Sequence, residues 1–181
     1  MPVWVALLYS ILLDGGRRVR GEDLLAVASR LGFREPRSLL ATGNLIFGAD
    51  ARDARAVEAL LEPAIAAALG RPIDVIVRAA DRWPTLMQGN PFADAAAQEP
   101  SRVAVRIMRA PVGRDVAARL EPYRGERERL AIVDGDIWVH LPGGSAGSRL
   151  AAAITPARAG GPGTFRNWNT VRRIGAALDR F

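Results

Sequence analysis

The chain has 181 residues, 25 of them basic and 19 acidic, with 49% hydrophobic and 24% charged residues, the mixture of a folded globular protein of one large or two small domains. It has no cysteine, no lysine and a single histidine, His140, which excludes disulfides, thiolate chemistry, Schiff bases, a P-loop lysine and multi-histidine metal sites; no cofactor and no metal is expected. The longest apolar run, Val3 to Leu13, is about half of the roughly 20 residues that span a bilayer and lacks the flanks of a secretion signal, so no membrane segment and a cytoplasmic location are expected.

Val3 to Tyr9 reads as a strand apolar on both faces, bounded by Pro2 and an Asp14-Gly15-Gly16 turn. Gly21 to Leu31 is a helix, with Glu22 and Asp23 in its first turn and Gly32 as its stop. Ser38 to Ala41 and Leu45 to Gly48 flank Thr42-Gly43-Asn44 as a hairpin. Arg52 to Leu69 is a second helix with Val57, Leu60, Leu61, Ile65 and Leu69 on one stripe, closed by Gly70, and Ile73 to Val77 is a fourth element of strand type. Strand, helix, strand, strand, helix, strand is the split β-α-β order of a ferredoxin-like unit.

The second half repeats it: a strand over Arg102 to Met108, a helix over Val112 to Tyr123, and strands Leu130 to Val133 and Ile137 to Leu141 about an Asp134-Gly135 turn. A short helix from Arg149 to Ile154 is stopped by Thr155-Pro156, and Ala159 to Gly163 is a loop. A last helix runs from Trp168 to Leu178, with Val171, Ile174, Leu178 and Phe181 on its apolar side and Asn167 or Asn169 as cap. The expected fold is α+β: two ferredoxin-like halves packed together, residues 1–80 and 101–181. Residues 81–100 join them as a connector with one helical turn of its own.

Several pieces in order, Val5-Ala6-Leu7-Leu8, Thr42-Gly43-Asn44-Leu45-Ile46-Phe47, Asn90-Pro91-Phe92, Gly147-Ser148-Arg149-Leu150 and Arg166-Asn167-Trp168-Asn169-Thr170, resemble a bacterial family of hypothetical proteins, the domain of unknown function numbered sixteen ninety-seven. The resemblance implies a compact α+β fold and carries no activity, substrate or catalytic residue with it. Where that family typically has Arg-Gly-Ile-Asn after the first strand, this chain has Tyr9-Ser10-Ile11-Leu12; if that stretch serves a ligand in relatives, this chain lacks both its arginine and its asparagine.

Residues 141–181 hold six arginines against Asp179 alone, which points to an anionic partner. Three constellations are candidates for holding it. Gly143, Gly144, Ser145, Gly147, Ser148 and Arg149 form a glycine-rich loop running into a helix, an anion cradle or simply a capped connection. Arg166, Asn167, Trp168 and Asn169 set a guanidinium, two amides and an indole at a helix start, and Arg172 and Arg173 follow them. If the strands are neighbours, Arg102, Arg106, Trp138 and His140 share one sheet face, as in the arginine-and-aromatic platforms of sheet-type RNA binders. His140 as a catalytic base needs Ser145 as nucleophile and Asp134 or Asp136 as orienter, yet no nucleophile elbow is present. Glu126 and Glu128, interleaved with arginines, read as a solvated loop.

The leading reading is a non-catalytic cytoplasmic binder of nucleic acid or of a phosphate-bearing small molecule. A dimeric interaction module without ligand and a small hydrolase or transferase are the alternatives.

Overall fold

The computed structural model describes residues 1–9 and 18–181. The Asp14-Gly15-Gly16 turn and the Ser10-Ile11-Leu12 departure lie outside them. The chain divides into two units, Met1–Pro84 with Leu178–Phe181, and Thr85–Ala177.

In the first unit, β1 (Val3–Leu8), α1 (Gly21–Arg30), β2 (Arg34–Leu39), β3 (Asn44–Gly48), α2 (Ala54–Leu69) and β4 (Val75–Ala79) follow in order. Their sheet is antiparallel in the order β2-β3-β1-β4, the ferredoxin-like topology. One face carries Trp4, Ala6, Leu8, Leu45, Phe47 and Val77 into a core with Leu24 and Val27 of α1 and Val57, Leu61 and Ile65 of α2. On the other face Val5, Leu7, Ile46 and Ile76 are also fully buried. A strand apolar on both faces is what such double burial requires. Asp53 caps α2 by accepting the Ala56 N–H, and Gly70 ends it with a left-handed φ of 78°. Leu60, expected on the apolar stripe of α2, is exposed; the side of the helix turned inward includes Glu58, whose buried carboxylate accepts the Val77 N–H at 3.0 Å. β2 begins earlier than the apolar pattern indicates, at Arg34, because it is a polar edge strand with a register shift between Arg34 and Arg37. Phe181 lies beneath the Arg37 guanidinium, 4.9 Å from its ring centre.

The second unit takes in most of α3 (Trp83–Gln88), then α4 (Ala93–Gln98), so the stretch expected as a connector carries two short helices. β5 (Val103–Met108), α5 (Asp115–Leu120), β6 (Arg129–Val133), β7 (Asp136–His140), α6 (Arg149–Ala153), α7 (Pro156–Ala159), β8 (Gly163–Asn167) and α8 (Trp168–Leu178) follow. The sheet is again antiparallel, β6-β7-β5-β8. Two elements escape the sequence reading. β8 is hidden in a glycine-rich run, and α7 starts at the proline that reads as a stop, because proline suits the first helical position and Thr155 caps it through the Arg158 N–H. α5 starts later than expected, the backbone before it being tied to the β6–β7 turn by the Val112 N–H to Gly135 carbonyl bond. Met108, Ile137, Val139 and Leu141 form the helix-facing side of this sheet, packed with Val116, Leu120, Leu150 and Ala153. No helix among the described residues is long and apolar enough to cross a membrane.

Candidate functional site

Antiparallel partners point to the same face of a sheet. In the second sheet Ala104 faces Val139 on one side and Asn167 on the other, and Arg106 faces Ile137 and Phe165. All of these lie on the helix-facing side. At one end of the sheet small side chains leave a cavity of about 500 Å³ there, floored by Ala104, Val139 and Leu141, walled by Phe165 and Asn167, and roofed by Ala151 and Ala152 of α6. Ser101, Arg102, Gly144 and Ser145 form its mouth. The size is that of a small-molecule site.

Arg102 precedes β5 and continues its ladder, its carbonyl accepting the Leu141 N–H at 2.9 Å. Its guanidinium lies against Gly144: a Cβ there would overlap Nη1. Gly144 itself has a φ of 82°, a conformation natural to glycine, so the backbone at this point is both left-handed and bare, and the arginine fills the bare side. Among the described residues no Asp or Glu lines the cavity. Two residues beyond Ala104 on the same face, the buried Arg106 sets its guanidinium 5.7 Å from the Phe165 ring centre, a second cation behind the wall. The Asn167 side-chain oxygen accepts the Thr170 N–H, capping α8, and the same residue lines the cavity.

The structure thus brings together Arg102, Gly144, Ser145 and Asn167, drawn from three separate sequence constellations, and separates others. The expected four-residue platform is not formed. Val103 pairs with His140 and Val105 with Trp138, so Trp138 and His140 occupy the face opposite Arg102 and Arg106. Alternation along each strand is as expected; the register between strands is one residue away from placing the four together. The glycine loop closes on itself rather than presenting a row of donors: the Gly144 N–H goes to Leu141, the Ser148 N–H to Ser145, and the Ala151 N–H to the Ser148 hydroxyl. Ser148 is a buried cap, while Gly143, Gly147 and Arg149 are exposed and lie outside the cavity lining.

On the opposite face Arg166 is buried, donates to the Thr164 hydroxyl and the Phe165 carbonyl, and burial pushes its guanidinium down to about 10, still charged at neutral pH. Trp168 meets Trp138 in a tilted pair with ring centres 6.0 Å apart. Asn169, Arg172 and Arg173 are exposed on α8. His140 accepts from Arg129 Nε at its Nδ1 (3.2 Å) and turns Nε2 toward Glu99 at 3.5 Å. Arg129 in turn clamps Asp94 and covers the Phe92 ring at 4.8 Å. These hydrogen bonds hold the Asp94 carboxyl below the usual carboxylate range. Ser145 lines the helix-side cavity and His140 the other face, so the two are not a nucleophile and base. Asp136 is buried and accepts the Met108 N–H, and Asp134 sits in the turn with φ 50°.

The family model described as a protein of unknown function (DUF1697) matches residues 1–138. The chain belongs to the DUF1697 family. No curated protein matches it. Among solved structures it is similar to the conserved bacterial protein SP0830 from Streptococcus pneumoniae, at 20% identity over 98% of each chain with a TM-score of 0.75, a likeness of fold. A putative chlorite dismutase, TA0507, aligns at 15% identity over 98% of this chain and 100% of its own, with a TM-score of 0.29. In this DUF1697 chain the matched span holds Arg102, Ala104 and the whole of β5. The glycine loop, α6, β8 and the Arg166–Thr170 segment lie beyond it.

Proposed function

We propose that this protein is a non-catalytic, cytoplasmic binding protein whose partner is a small molecule bearing a phosphate or carboxylate, held in the cavity of the second unit. The observation that carries the reading is the Arg102 guanidinium, seated on Gly144 at the mouth of a cavity with no acidic lining residue among the described ones. A guanidinium at the rim of a mostly apolar pocket is a ready donor pair for an oxyanion. The small-ligand form is favoured over nucleic acid because the basic and aromatic side chains of a base-stacking platform fall on opposite faces of the sheet. An interaction module is less well supported: among the described residues the exposed large apolar side chains are Met1, Tyr9 and Leu60, few for the apolar centre of an interface.

The test is thermal melting of wild type and Arg102→Ala with phenyl phosphate, benzoate and a single-stranded oligonucleotide at low salt. The anions should raise the wild-type Tm in a concentration-dependent way, since a ligand of the native state stabilises it, and Arg102→Ala should lose the shift. If neither anion acts, or if the shift survives Arg102→Ala, the reading is wrong. Oligonucleotide binding that is weakened by Arg172→Ala and Arg173→Ala, flattens the salt dependence by roughly 0.7 per lost contact and ignores Arg102→Ala would establish the nucleic-acid alternative instead.

A further inference from the structure

The two units repeat each other strand for strand, and the pairings of their central strands, β1 and β5, keep the same register. In the first, Trp4 of β1 pairs with Phe47 of β3 and Ala79 of β4. In the second, Ala104 of β5 pairs with Val139 of β7 and Asn167 of β8. The strand ends match as well: Leu8 pairs with Val75 and Met108 with Gly163. Ala104 therefore stands where Trp4 stands, Val139 where Phe47 stands, and Asn167 where Ala79 stands.

In the first unit this corner of the sheet is solid. The indole of Trp4 is buried in the core with Phe47 and donates its Nε1–H to the Ala49 carbonyl at 3.1 Å. In the second unit the same corner is the cavity: two aromatic side chains are replaced by a methyl and a valine. The helical connection changes too. Between β3 and β4 runs α2, one helix of 16 residues, whereas between β7 and β8 stand α6 of 5 residues and α7 of 4, with alanines of α6 lining the opening.

Resting on the function proposed above, we infer that the ligand is a planar aromatic body of about indole size joined to one phosphate or carboxylate. The ring takes the place over Ala104 that an indole takes in the first unit, between the Phe165 wall and the alanines of α6. The anionic group reaches the mouth, where Arg102 and the Ser145 hydroxyl stand, with the Asn167 amide beside the ring. An aromatic replacement is favoured because the first unit fills the equivalent corner with Trp4 and Phe47, and because the floor and roof of the cavity are apolar. A single anionic group is favoured because Arg102 is the one cation in the lining among the described residues.

Isothermal titration of the full chain with 1-naphthyl phosphate, 1-naphthol and inorganic phosphate tests the inference. 1-Naphthyl phosphate should bind at least tenfold more tightly than either of its halves. Arg102→Ala should weaken it about tenfold to hundredfold, the worth of a charge-assisted hydrogen bond, while leaving 1-naphthol unchanged. Ala104→Trp, which installs the residue of the first unit, should abolish both naphthyl ligands; Ala152→Leu, at an exposed roof position, should do the same if the tryptophan variant does not fold. Inorganic phosphate binding as tightly as 1-naphthyl phosphate, with dependence on Arg102, would overturn the aromatic inference and leave the anion reading standing. Equal binding of 1-naphthol and 1-naphthyl phosphate, indifferent to Arg102→Ala, would overturn both. So would the absence of binding by all three, or binding untouched by filling the cavity.

Discussion

Replacing Gly144 by alanine separates the role of this loop in stability from its role in the site. The residue has a φ of 82°, and a Cβ added to it would overlap Nη1 of Arg102. The left-handed backbone costs an L-residue about 1–2 kcal/mol. The overlap adds little, because Nη1 is the far end of a flexible, exposed side chain that can swing away. For a chain of this length about 1 kcal/mol corresponds to a Tm loss of roughly 2–4 °C, so the lower end of that strain predicts a drop of this size. The displaced guanidinium, in contrast, leaves the mouth of the cavity, and affinity for an anionic ligand should fall about as far as in Arg102→Ala, on the order of tenfold or more. Gly143 and Gly147 are the controls. Neither has a positive φ, and an added Cβ at either meets nothing within 4 Å; alanine at these positions should change neither quantity. Circular-dichroism melts and calorimetric titration with 1-naphthyl phosphate read the two effects separately. Wild-type affinity in Gly144→Ala, or an equal loss in Gly143→Ala, would refute the seating of Arg102 on Gly144.

Gly135→Ala should be far more damaging, since a Cβ there would lie 2.6 Å from the Pro111 Cα and 3.1 Å from the Val112 N, backbone that cannot step aside, at a φ of 82°. Backbone strain and overpacking together give about 3 kcal/mol, a Tm fall of roughly 6–12 °C, and a loss below about 1 kcal/mol would contradict the packing of that turn on the lead into α5. The Asp94 carboxyl, lowered by its hydrogen bonds from Arg129, should titrate below the ordinary carboxylate range in an NMR pH series and move back up in Arg129→Ala. Its folded pKa is depressed, so its contribution to stability is present above the unfolded value of about 3.9 and is lost as the pH falls through the folded one. An ordinary titration midpoint in the wild type would show that the clamp between α4 and β6 does not persist in solution.

The elements that the sequence declares are those whose local chemistry agrees with their tertiary role. β1 is apolar on both faces and buried on both; α1 and α2 end at glycines with left-handed φ; Asp134 and Gly135, both at positive φ, form the two-residue turn their identities demand. The elements it hides are those in which tertiary context overrides the local signal. β2 is a polar strand held by its pairing to β3, and β8 begins in a glycine and completes the sheet by lying against β5. The error about the site has a single cause. Strand periodicity tells which residues of one strand share a face, but not which face of the neighbour they meet, and a shift of one residue exchanges the two. Arg102 and Arg106 do share a face, as do Trp138 and His140; only the register of β5 on β7 sends the pairs to opposite sides.

The cavity has a further reason for being invisible in the sequence. Ala104 is an unremarked alanine in an alternating strand, and nothing near it in the chain indicates a site. It becomes informative only when its register partners identify it with Trp4. Removing a buried Trp or Phe from a closed core costs about 3–5 kcal/mol, and the second unit does without both aromatic side chains at this corner while keeping the strand order and register that the first unit stabilises with them. Its glycine-rich approach, its shortened α6 and the arginine resting on Gly144 all lie around that same opening. On the function proposed above, the contacts that the first unit makes there with its own aromatic side chains are the ones a bound molecule would supply to the second, beside a lining that among the described residues holds one cation and no acid.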